Sequence, residues 1–377
     1  MRVLMISKSL VVGTQQRKLE EIAKLPNVEL TLVTPPYWQG DDGRKWVLER
    51  LYTSGYRIIE TPMKFNGNFH FHYYPQLEHI MREVCPEVVH IDEEPYDLVT
   101  LLSMRLAQKY NARALFFTWQ NLYRNYPPPF RQMEIYNYKH TMAAIVGNQD
   151  AATVLKRKGY KGPMQVIPQF GFDTEIYKRN MPRVPRQPND PFTIGFIGRV
   201  KKEKGLPLIV EALTMLPDYC RAVFVGSGPL QSTLTKQAVR LGVADRVIFK
   251  SGVPSYQVPR EMEQWDVHVL PSITCSNWME QFGRTLAESM SCETPVIGSS
   301  SGEIPNVIGD AGLIFKEGDA RDLSNSIQKL LTNPTLSSEL AKRGRQRVLD
   351  NYTHQQIAQR TYEVYVSMLE SLKSPRP

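Results

Sequence analysis

Thr193-Ile194-Gly195-Phe196-Ile197-Gly198-Arg199-Val200-Lys201-Lys202-Glu203-Lys204-Gly205, followed by the apolar-periodic stretch 206–216, decides the fold of this chain. A short apolar run stops at a glycine, crosses a basic loop and enters residues whose apolar positions recur at three or four. That is a strand feeding a helix, the unit from which parallel sheets are built. Downstream the unit repeats, with strands expected at 222–225, 247–250, 267–270, 295–298 and 313–315 and helices at 206–216, 230–241, 258–264 and 282–291. Upstream the same grammar places strands at 3–6, 28–34, 57–60, 88–91, 114–118, 144–147 and 165–167, with helices at 14–24, 76–84, 98–109 and 150–158.

Between the two series, residues 172–191 hold Pro182, Pro185, Pro188 and Pro191 among Arg, Asn and Asp, a composition that favours an extended linker over helix or sheet. The expected domains are therefore 1–180 and 181–352, with a terminal segment 353–377. After Ala320 the pattern is helical, at 323–331, 336–349 and 354–372, and the last helix carries Tyr362, Val364, Tyr365 and Met368 on one face. The fold class is α/β, two tandem Rossmann-like doubly wound domains, with a ligand cleft expected between the carboxyl ends of the two sheets. A dehydrogenase, a periplasmic-type binding protein and a two-domain glycosyltransferase all fit this outline, so the fold does not decide the function.

Composition narrows the field. The 377 residues are 42% hydrophobic and 22% charged, ordinary for a globular chain and too long for one small core. No run approaches the roughly 18 apolar residues that span a bilayer, and the first apolar stretch ends at Lys8, so neither a span nor a signal peptide is expected. Cys85, Cys220, Cys275 and Cys292 show no C-x-x-C pair and no histidines at ligand spacing, which fits a reducing cytoplasm. A net charge of +8 favours anionic partners, such as phosphorylated ligands or the inner face of an anionic membrane. Nucleic acid is not expected, because no binding module or long basic run accompanies the charge.

Two segments carry candidate chemistry. In the loop 198–205 the glycines allow a tight turn, while Arg199 offers a bidentate fork and Lys204 a point charge to a phosphate; read alone, the run is more readily a solvated basic loop. In Glu280-Gln-Phe282-Gly283-Arg284-Thr-Leu-Ala-Glu288, Glu280 precedes a helix expected from Phe282 and Glu288 lies two turns along it. The two carboxylates do not share a face, but can serve a sugar and a ribose, with the Phe282, Gly283 and Arg284 amides between them as a helix N-terminus for an anion. Gly226-Ser-Gly228-Pro-Leu-Gln lacks the third glycine of a dinucleotide fingerprint, so an oxidoreductase is disfavoured.

These motifs together, Gly198-Arg199 with Lys204-Gly205, Glu280-x-Phe282-Gly283 with Glu288, and Thr294-Pro295-Val296-Ile297-Gly298, resemble the donor domain of glycosyltransferase family 4, the retaining GT-B enzymes. Val225-Gly226-Ser-Gly228-Pro229 and Gly252-Val253 extend the resemblance. It implies a GT-B fold whose last helix crosses back onto the first domain. It also implies transfer of a hexosyl unit from a UDP- or GDP-sugar to a hydroxyl acceptor, a lipid, glycan or small molecule, by front-face attack with retention, the departing phosphate helping to accept the proton.

By the same resemblance Arg199 and Lys204 bind the pyrophosphate, next to Gly198. Glu280 with the Phe282 and Gly283 amides holds the sugar, Glu288 the ribose, and Val253 the base through its backbone. No metal or cofactor is implied, and no D-x-D motif is present to bind one against a pyrophosphate. In the first domain Gly13 resembles the family's glycine loop, and Gln120 stands where many members have a histidine. Glutamine can hydrogen-bond a sugar hydroxyl but cannot act as a base. His90 is read as structural. Asp92, Glu93 and Glu94 follow a strand at the carboxyl edge, where Glu93 either contacts the donor sugar or acceptor or caps the next helix. The aromatic run 65–74 and Pro127–Pro129 are expected in an acceptor groove, at a membrane surface or in packing. A nucleotide-sugar epimerase of the same fold and a catalytically silent scaffold are the alternatives.

Overall fold

The computed structural model describes residues 1–40, 43–182, 187 and 190–370, so Pro185, Pro188 and Leu372 of the segments above lie outside the described residues. The chain forms two compact units, Met1–Gly171 together with the segment from His354 onward, and Phe172–Thr353. The first boundary thus falls earlier than the 180/181 division read from proline density. Phe172 pairs with Thr353 and its N–H donates to the Tyr352 carbonyl, so the chain enters and leaves the second unit at adjacent positions.

The first unit is built on a parallel sheet of β1 (Arg2–Ile6), β2 (Glu29–Thr34), β5 (Arg57–Glu60), β6 (Val88–Ile91), β7 (Arg113–Thr118), β8 (Ala143–Val146) and β9 (Met164–Val166). Its order is β5-β2-β1-β6-β7-β8-β9, which reverses direction at the β1/β6 pair. Strand residues point alternately to two buried faces, which is why these strands read as continuous apolar runs. Leu4, Ile6, Val89, Ile91 and Phe116 pack on one side with Leu77 and Ile80 of α2 (Leu77–Val84) and Met104 of α3 (Leu98–Lys109). Val3, Met5, Leu115 and Phe117 face the other way, against Leu19 and Ile22 of α1 (Arg17–Ala23) and Ile357, Tyr365 and Met368 of α13 (His354–Glu370). Of the face expected on this last helix, Val364, Tyr365 and Met368 are buried while Tyr362 is half-buried.

Three elements of this unit were not expected from the pattern. A hairpin of β3 (Tyr37–Gln39) and β4 (Lys45–Val47) stands apart from the main sheet, and α4 (Phe130–His140) precedes β8. The chain after β1 also turns through two short 3-10 segments, Ser9–Val11 and Gly13–Gln16, before α1 begins at Arg17 rather than near residue 14. The remaining helix of the unit, α5 (Gln149–Arg157), starts where Asn148 Oδ1 accepts from the Ala151 N–H at 2.7 Å.

The second unit has the sheet order β12-β11-β10-β13-β14-β15, all parallel, from β10 (Phe192–Ile197), β11 (Cys220–Val225), β12 (Val247–Lys250), β13 (Val267–Leu270), β14 (Val296–Ser299) and β15 (Leu313–Phe315). Helices α6 (Pro207–Leu213), α7 (Gln231–Arg240), α8 (Val258–Met262), α9 (Arg284–Ser291), α10 (Ile304–Ile308), α11 (Ala320–Thr332) and α12 (Pro334–Asn351) accompany it. Among the described residues no helix is long and apolar enough to cross a membrane.

Candidate active site

In the second unit the loops after β10, β11 and β13 meet at the carboxyl edge of the sheet. The Gly198 N–H donates to the Val225 carbonyl at 3.0 Å and the Val200 N–H to Ser227 at 2.9 Å, so the first two loops are laced together by backbone. Gly226 has φ +134°, and a Cβ there would sit 2.0 Å from the Gly198 carbonyl oxygen, so only glycine permits this approach. On the other side the Ile273 N–H donates to Glu203 at 2.8 Å. The basic loop is held from both flanks by main chain, leaving its side chains for other work.

Those side chains divide into two roles. Arg199 is exposed and makes no ion pair among the described residues. Lys204 Nζ donates to Glu280 Oε2 at 2.7 Å and lies 4.9 Å from the centre of the Trp278 ring. Ser272 Oγ donates to the same carboxylate oxygen at 2.8 Å. Glu280 is only 7% exposed, so this buried carboxylate oxygen has both a lysine ammonium and a hydroxyl on it. The sequence separation of 76 residues between Lys204 and Glu280 is closed by the sheet, which brings two of the expected site residues into direct contact.

The helix after Glu280 starts later than expected. Gly283, at φ +77°, is the residue before α9, and Arg284 is its first residue, because the left-handed turn at Gly283 interrupts helical geometry. Of the Phe282, Gly283 and Arg284 amides read as one helix N-terminus, only that of Arg284 lies in the helix. Phe282 is buried, stacked on Phe172 with ring centres 6.0 Å apart and edge-on to Tyr352 at 5.4 Å. Within α9, Arg284 Nε donates to Glu288 Oε1 at 2.8 Å across one turn. Burial pushes the Glu288 carboxyl above its usual range, opposed by Arg284 and by hydrogen bonds from Arg284 and Tyr177. Val253, after β12, is half-buried against the cluster of Ile197, Val225, Met262 and Cys292.

In the first unit, the Gly13 N–H donates to Glu49 Oε2 at 2.7 Å, and a Cβ on Gly13 would lie 2.6 Å from Leu51 Cγ. The glycine loop is therefore covered by the segment following β4. Glu93 is held on both oxygens by Lys8, through its backbone N–H at 2.8 Å to Oε1 and through its ammonium to Oε2. Burial alone would raise the Glu93 carboxyl, but Lys8 and His72 hold it down at about 2. Glu93 is 3% exposed and does not cap α3. The residue before α3 is Asp97, whose carboxylate also makes no capping bond. Asp92 accepts from Ser7 Oγ at 2.8 Å and lies 3.7 Å from Lys18. His90 is buried with Nδ1 2.6 Å from the Tyr365 hydroxyl, and burial keeps it neutral, in the structural role expected for it.

Gln120 Oε1 accepts from Lys158 Nζ at 3.0 Å, while its amide nitrogen is buried without a partner among the described residues. Lys158 also donates to the fully buried Glu134 at 2.5 Å. Glu94 accepts from Thr118 Oγ1 at 2.5 Å and from the Trp119 N–H at 2.8 Å, yet burial outweighs these bonds and pushes its carboxyl up to about 7. The folded state thus holds a proton that the unfolded chain releases near 4.5. Stability is expected to fall as pH rises between those values and to level above them. Urea unfolding between about pH 5 and about pH 8 should show a loss on the order of 1–3 kcal/mol, absent in Glu94→Gln. An unchanged slope in the variant would assign the pH dependence elsewhere.

Two parallel sheets, each covered on both faces, with the candidate residues on the carboxyl-edge loops, define an α/β protein of the GT-B class. Among solved structures, sucrose-phosphate synthase from Thermosynechococcus elongatus matches 98% of this chain over its full length with a TM-score of 0.70 at 19% identity. The Anabaena protein HepE in complex with UDP matches 97% over its full length, also at 0.70, with 17% identity. Residues 178–347 match the family described as Glycosyl transferases group 1. The match covers most of the second unit and less than half of the chain.

Two relatives are a GDP-mannose-dependent alpha-(1-6)-phosphatidylinositol monomannoside mannosyltransferase of Mycolicibacterium smegmatis, 30% identical over 41% of this chain and 43% of its own length, and a 2-deoxystreptamine glucosyltransferase of Streptomyces kanamyceticus, 27% identical over 42% and 41%. The chain thus matches less than half the length of either.

Proposed function

We propose that the chain is a retaining glycosyltransferase that moves a hexosyl unit from a nucleotide diphosphate sugar, UDP- or GDP-linked, to a hydroxyl acceptor without a metal ion. The observation that carries this reading is the pairing of exposed Arg199 with the Lys204–Glu280–Ser272 cluster on adjoining loops of a group 1 domain. A pyrophosphate bound against Arg199 and Lys204 has two fixed cations for the charge that grows as the sugar leaves, which is the stabilisation a divalent ion would otherwise supply. Glu280 keeps acceptor capacity for sugar hydroxyls, and Glu288, buried beside Arg284, has it for a ribose. Support for the donor class also comes from the relative named as GDP-mannose-dependent and from solved neighbours holding UDP and UDP-glucose.

Contact with an anionic membrane surface fits the β4 region, where Trp46, Val47 and Leu51 are 39%, 61% and 61% exposed beside Lys45 and Arg50.

Thermal denaturation with UDP-glucose and with GDP-mannose tests the donor, because a bound ligand raises the melting temperature by mass action. One of the two is expected to raise it, Glu288→Ala to abolish the rise, and transfer to persist in excess EDTA. A strict divalent-ion requirement, or a rise undiminished in Glu288→Ala, would overturn the reading of this site.

A further inference from the structure

Tyr177 belongs to the stretch read as linker, yet it is buried in the second unit among Ile197, Val225, Val258 and Cys292, and Val253 packs against the same cluster. Its main chain is fastened on both sides. The N–H donates to the Asp173 carbonyl at 2.9 Å, and the carbonyl accepts from Ser291 Oγ at 2.5 Å and from Arg345 Nη1 at 2.8 Å. Ser291 is the last residue of α9 and Arg345 lies on α12, so Tyr177 is tied to the helix that carries Glu288.

Packing does not require a hydroxyl there. A phenylalanine would fill the same space without bringing a polar atom into the core, and a buried phenol oxygen needs partners. Its partners are Arg284 and Glu288. A guanidinium has no acceptor, so the tyrosine oxygen accepts from Arg284 and its own proton goes to the Glu288 carboxylate. With Arg284 Nε donating to Glu288 Oε1 at 2.8 Å, the three side chains close a ring of hydrogen bonds that leaves the carboxylate little freedom to rotate. Two donors on a group with about four acceptor positions leave room for two more, which is what the 2′ and 3′ hydroxyls of a ribose supply.

We propose that Tyr177 is a positioning residue of the nucleotide site, whose hydroxyl, with Arg284, fixes Glu288 in the orientation that accepts both ribose hydroxyls and so sets a preference for ribonucleotide over 2′-deoxyribonucleotide donors. The proposal rests on the glycosyltransferase reading above and deepens the ribose role given there to Glu288. Every residue it uses lies in the second unit. The charged and titratable groups that act on Glu288 are Arg284 and Tyr177, and Cys292 lies one turn further on. Burial pushes the Cys292 thiol up to about 12 and raises the Tyr177 phenol as well, so both stay neutral while the carboxylate titrates.

Isothermal titration calorimetry of the full chain with UDP, GDP and their 2′-deoxy forms tests this. The wild type is expected to bind one of the two ribonucleotides roughly tenfold more tightly than its 2′-deoxy form, the worth of one hydrogen bond to a charged group. Tyr177→Phe keeps the buried ring and loses one oxygen, so the fold is retained, and the preference is expected to drop to about twofold. A residue that served packing alone would weaken both forms equally, so an unchanged ratio in the variant would overturn the proposal. The hydroxyl also opposes the rise that burial imposes on the Glu288 carboxyl. Without it the carboxyl rises further, and on acidification the ribose preference of Tyr177→Phe is expected to vanish at a higher pH than that of the wild type. Loss at the same pH in both proteins would likewise overturn the proposal. A wild type that binds nucleotide with no preference for the ribose would overturn the role of Glu288, and one that binds neither UDP nor GDP would overturn the glycosyltransferase reading.

Discussion

Lys204→Ala is expected to lower turnover about 1,000-fold, at the upper end of what one preorganised electrostatic contact contributes, while Arg199→Ala lowers it about 100-fold. The difference lies in what each side chain leaves behind. Arg199 is exposed, and its removal deletes a cation and nothing else. Lys204 is bonded to a carboxylate that is almost wholly buried, and its loss takes the ammonium away from Glu280. A buried carboxylate that has lost its ammonium, beside the sugar and phosphate, repels the negative charge that develops as the donor bond breaks, so one substitution removes a favourable field and adds an adverse one.

The same argument predicts strong non-additivity. In Lys204→Ala/Glu280→Gln the stranded charge is gone, and part of the loss should return, so the double variant is expected to turn over faster than Lys204→Ala alone. Steady-state rates for the two single variants and the double variant decide the matter. A double variant whose loss equals the product of the two single losses would mean that Lys204 and Glu280 act independently, and that their 2.7 Å bond has no part in the donor site.

The Lys204–Glu280 contact also marks how far the sequence could be read. Strands such as β1, β7 and β10 were legible because both of their faces are buried and their composition is mostly apolar. Helix α4 was not, because its inward residues are Met133, Glu134 and Asn137. Two of the three are polar, made tolerable by Lys158 and by the Pro95 carbonyl that accepts from Asn137 at 2.8 Å. Periodicity counts apolar residues and does not register a stripe whose partners lie elsewhere in the chain.

The site shows the same division. Arg199, Lys204, Glu280 and Glu288 stood out through local motifs, whereas the pairs that fix the first unit's edge join residues far apart in sequence, Lys8 with Glu93 and His70 with Asp97. Glu93 could be singled out as a carboxylate at a strand end, but nothing local to it tells that Lys8 occupies both its oxygens. His70 lay inside an aromatic run whose only sequence signal was its composition.

Lys158→Met is expected to destabilise the first unit by about 3–5 kcal/mol, the cost of leaving one member of a buried ion pair without its partner. Lys158 and Glu134 have side chains 2% and 0% exposed, and the lysine also donates to Gln120 and lies 4.6 Å from the Tyr126 ring centre. Arg131 at 3.1 Å and the Tyr138 hydroxyl at 3.2 Å remain on Glu134, which places the expected loss towards the lower end of that range. Methionine keeps most of the stem volume, so the effect measures charge more than packing. Replacing both partners, Lys158→Met with Glu134→Leu, should recover most of the stability, since a buried pair exchanged for apolar side chains is often neutral. Equilibrium urea unfolding of the two variants against the wild type reads the effect directly. A single variant within about 1 kcal/mol of the wild type would show that Arg131 alone neutralises Glu134. Recovery in the double variant without recovery of transfer would place Lys158 in the chemistry through Gln120, and not only in the fold.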